Sequence, residues 1–77
     1  MLRVMLTSPE RVLFDGPAHF AIFPGEQGTF EVLPLHHPLI SRLLSGLIII
    51  EKQTFRIKRG AVRVGDDVVT AVVELRK

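Results

Sequence analysis

Two adjacent histidines, His36 and His37, are the residues best suited by type to do chemistry, with His19, Glu26 and Glu31 as possible companions. Imidazole nitrogens and carboxylate oxygens together make divalent-metal sites, and His36, His37 and Glu31 are the set a metal-dependent enzyme would use. Neighbouring residues on a strand point to opposite faces, so only a loop can turn both imidazoles toward one ion. No His-Glu-x-x-His spacing is present. Ser8, Ser41 and Ser45 stand outside any Gly-x-Ser-x-Gly elbow, which makes them turn residues rather than nucleophiles. Gly25-Glu26-Gln27-Gly28 lacks the Lys-Ser/Thr ending that holds nucleotide phosphates. The chain has no cysteine, which removes thiolate chemistry and disulfides and suits a reducing compartment. Asp66-Asp67 reads as a solvated turn. No catalytic, cofactor-binding or metal-binding residue is therefore assigned, and the histidines read as hydrogen-bonding or partner-contacting loop residues.

The elements that must hold this stretch are strands. Leu2, Val4 and Leu6 alternate with Arg3, Met5 and Thr7, the period of a half-buried strand. Ser8-Pro9 then predicts a turn, followed by a second strand over Arg11 to Phe14. Asp15-Gly16 predicts another turn, and Ala18, Phe20 and Ile22 alternate with His19, Ala21 and Phe23 as a third strand. Between Phe23 and Leu39, Pro24-Gly25 and Gly28 predict two bends, and Phe30 to Leu33 a short strand. Pro34 and Pro38 hold the histidines in a loop. Leu39 to Leu44 reads as irregular, Ser45-Gly46 as a turn, and Leu47 to Ile50 as an interior strand. Thr54 to Lys58 alternates, Gly60 breaks the pattern, and Ala61 to Val64 resumes it. Gly65-Asp66-Asp67 then turns the chain into Val68 to Leu75. These elements, without a crossover helix, predict an all-β, small two-sheet antiparallel β-sandwich formed by a single domain over residues 1–77.

Size and composition sharpen the picture. At 77 residues, a domain buries only about 60% of the surface its unfolded chain exposes. Hydrophobic residues make up 47% of the chain, without Trp or Tyr, a packed composition rather than a disordered one. Apolar runs such as Leu47 to Ile50 are far short of the roughly 20 residues of a membrane span, and no charged-then-apolar leader precedes Leu2, so a soluble, untargeted chain is expected. The net charge is +2, with Lys52, Arg56, Lys58, Arg59, Arg63, Arg76 and Lys77 in the second half. Only Phe55 lies among these basic residues to stack on bases, which reads them as a solvated face and excludes nucleic acid as a partner. Ala18 to Phe23 and Val68 to Val73 are apolar on both faces. So small a domain cannot bury both faces of many strands, and part of that area is expected to meet another protein.

The order of motifs resembles the N-terminal domain of the ε subunit of F-type ATP synthases, the subunit called δ in mitochondria. The resemblance rests on Thr7-Ser8-Pro9-Glu10, Leu13-Phe14-Asp15-Gly16, Pro24-Gly25-Glu26-Gln27-Gly28-Thr29-Phe30, Leu33-Pro34-Leu35-His36-His37-Pro38-Leu39, the Gly46-Leu47 step and the Val-rich last strand. It implies a sandwich of two antiparallel sheets with about ten strands. It also implies a non-catalytic rotor subunit, one side on the γ shaft and the loop end on the ring of c subunits, coupling proton or sodium flow to ATP synthesis. The location implied is peripheral, at the cytoplasmic face of the bacterial inner membrane. The implied ring-facing residues are Gln27, Thr29, Glu31, Leu35, His36 and His37.

The chain departs from the family pattern at several of these positions. Leu35 stands where glycine is usual, His37 where a small residue is usual, Thr29 where an acidic residue is common, and Glu31 where glycine is usual. Gly60 keeps the second glycine of a family pair, and Arg59 replaces the first. Family members continue into a two-helix hairpin that restrains ATP hydrolysis and in some bacteria binds ATP. This sequence stops at Glu74-Leu75-Arg76-Lys77, so those functions are expected to be absent. A different class of role is a free-standing protein-binding sandwich that has left the ATPase, its altered surface marked by Leu35 and His37.

Overall fold

The computed structural model describes residues 1–76; Lys77, counted above among the basic residues, lies outside them. Eight strands follow in order: β1 (Leu2–Thr7), β2 (Val12–Ala18), β3 (Ala21–Gly25), β4 (Gly28–Val32), β5 (Leu39–Leu43), β6 (Gly46–Ile50), β7 (Gln53–Gly65) and β8 (Val68–Leu75). The expected all-β sandwich is what the chain forms, with eight described strands rather than about ten. Hydrogen bonding runs unbroken through β2-β1-β8-β7-β5-β3-β4, and β6 pairs with β3 and β7. The pairs are antiparallel except β1 with β8, which run parallel. Every strand gives at least one side chain to a single core, including Leu2, Val4 and Leu6 from β1, Phe23 from β3, Ile48 and Ile50 from β6, and Val69, Ala71 and Val73 from β8. One shared core means that the inner face of this ladder folds back on itself, as in a sandwich.

Several local expectations are corrected. Asp15-Gly16 is not a turn: both residues lie inside β2, opposite Met5 and Val4, and Asp15 pairs with Arg3 at 2.7 Å. Strand β1 pairs residue for residue across Asp15-Gly16, and the turn expected at Ser8-Pro9 is the one that forms, the Ser8 N–H donating to the Arg11 carbonyl at 2.8 Å. The predicted strand Ala18 to Phe23 is two strands joined by a corner at His19-Phe20. The inward set is Ala18, Ala21 and Phe23, so the corner reverses the parity and sends Ile22 outward. The corner is tied by Glu51, whose carboxylate accepts from the His19 N–H and lies 2.9 Å from His19 Nδ1. Pro24-Gly25 does not bend the chain but ends β3. Pro24 offers the ladder only its carbonyl, which accepts the Leu44 N–H at 2.8 Å. The bend comes at Glu26-Gln27, closed by Gly28 at φ 120°.

Leu39 to Leu43, expected to be irregular, is β5, paired with residues 60–64 of β7. Gly60 does not break β7. The irregularity is a bulge between Ile57 and Arg59, where the register against β8 shifts. On its N-terminal side Phe55 and Ile57 face inward, and on its C-terminal side Val62 and Val64 do. One extra residue therefore reverses the alternation while the strand continues. Gly60 lies beside the bulge because a Cβ there would come within 2.5 Å of the Val72 carbonyl oxygen.

Candidate functional site

The loop between β4 and β5 begins with Leu33-Pro34-Leu35-His36. The His36 N–H donates to the Leu33 carbonyl at 3.2 Å, and Leu35, third of the four, has φ 67°. Proline second, positive φ third and an i to i+3 hydrogen bond are the marks of a type II turn. Glycine is the residue that adopts this third position without cost, which explains the glycine of the family pattern. The leucine here is held in that conformation, and its side chain is 89% exposed. Its N–H donates to Asp67 Oδ1 at 2.7 Å, which binds the loop to the β7–β8 turn. His36 lies half-buried next to the exposed His37, and its Nδ1 is 2.7 Å from the His37 carbonyl oxygen. A carbonyl only accepts, so Nδ1 carries the proton and Nε2 is left for water or a partner.

Gln27 and Thr29 lie on the β3–β4 hairpin tip, which faces the start of β5 across a groove of about 710 Å³. Ile40 lines this groove and also a second one of about 500 Å³ that it shares with Arg63, Gly65 and Asp66. Asp66 adjoins Asp67, the residue that holds Leu35. The hairpin tip, Ile40, the β7–β8 turn and the Leu35 loop thus follow one another around a single end of the domain. Glu31 sits farther along β4, exposed and opposite Ile22. Among the described residues no three His, Cys, Asp or Glu side chains gather as metal ligands, so Glu31, His36 and His37 do not converge.

Sequence reasoning missed Ile40, which is 79% exposed. The available signal was β5 itself, in which Leu39, Ser41 and Leu43 turn toward the inside while Ile40 and Arg42 turn out. An aliphatic residue outward and a serine inward hid the alternation. A second surface lies on the outside of β7 and β8. Val68 and Val72 are exposed, as the surplus of apolar residues in this strand foretold, and Val72, Ala61, Leu44 and Pro9 line a groove of about 510 Å³ edged by Arg42 and Arg59. In the other two-sided segment, Phe20 and Ile22 are half-buried.

The family model of the ATP synthase delta/epsilon chain β-sandwich domain matches residues 1–75. The chain belongs to this family. Among delta/epsilon relatives, it is 40% identical over 78 residues to the ATP synthase epsilon chain of Nitratiruptor sp., covering 95% of this chain and 60% of that one. It is 33% identical over 79 residues to the ATP synthase epsilon chain of Sulfurovum sp., covering 96% of this chain and 62% of that one. The chain thus spans about three-fifths of the length of these curated relatives. The delta/epsilon sandwich also superposes on a chain of the Euglena gracilis mitochondrial ATP synthase structure with its OSCP, F1 and c-ring, at TM-score 0.85 and 20% identity, covering 94% of this chain and 49% of that one. A chain of the Tetrahymena thermophila mitochondrial ATP synthase central stalk and c-ring gives TM-score 0.77 at 16% identity, covering 95% of this chain and 63% of that one. These two likenesses establish the shared fold.

Proposed function

We propose that this domain is a non-catalytic rotor component of an F-type ATP synthase, seated between the γ shaft and the ring of c subunits. The loop end built from Gln27, Thr29, Leu35, His36 and Ile40 rests on the ring, with Glu31 and His37 at its margin. The outer groove at Val72, Ala61 and Leu44 binds γ. Ring rotation driven by protons or sodium ions then reaches the shaft through a domain that only has to stay rigid. The role needs no cofactor, metal or nucleic acid. It places the chain at the cytoplasmic face of a bacterial inner membrane, held there through the complex. The relatives named ATP synthase epsilon chain support the assignment, and their bacterial sources support the location. The observation that carries the ring-facing assignment is Leu35, 89% exposed yet fixed by its own turn and by Asp67. An exposed aliphatic side chain on a backbone fixed in this way is stabilised when a partner covers it.

Co-purification from the native host in mild detergent tests this reading. The expected result is recovery of γ, the c ring and the α and β subunits with the tagged chain. Recovery of the chain alone, or with unrelated proteins, overturns it in favour of a free-standing module that kept the family fold.

A further inference from the structure

The β7–β8 connection has positive φ at both central residues, 51° at Asp66 and 60° at Asp67. Two-residue hairpin turns of this kind take Asn or Asp readily at the first position, but glycine is preferred at the second. Asp67 therefore occupies a place where glycine would form the turn at lower cost. Its groups are used elsewhere. The carbonyl accepts the Arg3 N–H at 2.8 Å, at the start of β1, and the carboxylate Oδ1 accepts the Leu35 N–H at 2.7 Å. The hydrogen bond that closes the turn around Leu35 runs from His36 to Leu33 and leaves the Leu35 N–H available to the Asp67 carboxylate. Carboxylate acceptors make hydrogen bonds stronger than those of neutral ones.

The geometry points to Asp67 as a positioning residue for ring docking: it holds the Leu33–His36 turn in its docking conformation without itself supplying the contact. This inference rests on the proposed ring-facing role of Leu35. It gives Asp66-Asp67, otherwise a solvated turn, a purpose 32 residues away in sequence.

The test uses three variants of the whole chain. Asp67→Gly removes the carboxylate while favouring the turn, Asp67→Asn restores an acceptor oxygen in the same place, and Leu35→Glu perturbs the contact directly. Amide exchange by NMR reads the tether, and binding of each variant, assembled with γ, to detergent-solubilised c ring reads docking. In Asp67→Gly the melting temperature is expected to hold or rise, while the Leu35 amide exchanges roughly tenfold faster and ring binding weakens about three- to tenfold. Asp67→Asn is expected to restore both. Unchanged exchange at Leu35 in Asp67→Gly overturns the tether. Ring binding lost in Leu35→Glu but kept in Asp67→Gly overturns the positioning role alone. Ring binding kept in both overturns the docking assignment and this inference with it.

Discussion

Replacing Leu35 by glycine is expected to make the domain more stable. With φ 67°, Leu35 carries the cost of a left-handed conformation, roughly 1–2 kcal/mol for a residue with a Cβ. Glycine removes that cost but loses about 0.5–1 kcal/mol more in backbone freedom on folding. Because the side chain is 89% exposed, truncating it forfeits almost no buried area. The balance is a gain between about 0 and 1.5 kcal/mol, and at its midpoint, with roughly 4–8 °C per kcal/mol for a domain of this size, the melting temperature should rise by about 3–6 °C. Thermal unfolding followed by circular dichroism measures it, with Leu35→Ala as the control. Alanine keeps the strained backbone and should melt within a degree or two of the parent. A Leu35→Gly variant that melts at or below the alanine control would refute the strain assignment.

Outcomes for five other variants follow from their surroundings. Gly60→Ala should cost about 1–3 kcal/mol in urea unfolding, because its Cβ would come within 2.5 Å of the Val72 carbonyl and 2.7 Å of Val73 Cγ1; Gly65→Ala, which meets nothing within 4 Å, should be neutral or slightly stabilising. Leu35→Glu should leave the melting curve nearly intact and weaken ring binding, and unfolding of the domain instead would mean that the loop belongs to the core. Val72→Asp should likewise fold normally, since that side chain is 54% exposed, and should lose affinity for purified γ in a titration. The His19 N–H and ring hold the Glu51 carboxyl below its ordinary value near 4.5. A depressed carboxyl contributes stability above its unfolded pKa and loses it as pH falls through its lower folded pKa. Acid unfolding of Glu51→Gln should therefore show a shallower loss of stability below about pH 4.5 than the parent.

What was legible in the sequence was whatever depended on neighbours along the chain. The alternation of β1, the apolar run of β6 and the turn at Asp66-Asp67 are local patterns, and all three hold. The bulge at Lys58-Arg59 was visible only as an interruption near Gly60, because it takes the partner strand β8 to show that one residue is extra. The corner at His19-Phe20 was hidden because apolar residues on both sides of it continue a strand-like pattern, and Glu51, which ties it, comes from a distant turn. At the candidate site the same division applies. Leu35 and the histidines stood out by motif, while Ile40 was concealed by the inward Ser41 beside it. The Asp67 tether joins two loops whose meeting is decided by the fold as a whole.

The parallel pairing of β1 with β8 has a mechanical side. Tension applied at Leu2 and at Leu75 draws these two neighbours past one another along their length, so the bonds joining residues 3–7 to residues 68–72 are loaded together, in shear. A hairpin pulled open from its ends gives way one bond at a time, like a zip. A pair loaded in shear yields only when the whole row lets go. A small domain can in this way resist a large force, which is the kind of strength the proposed rotor role would call for.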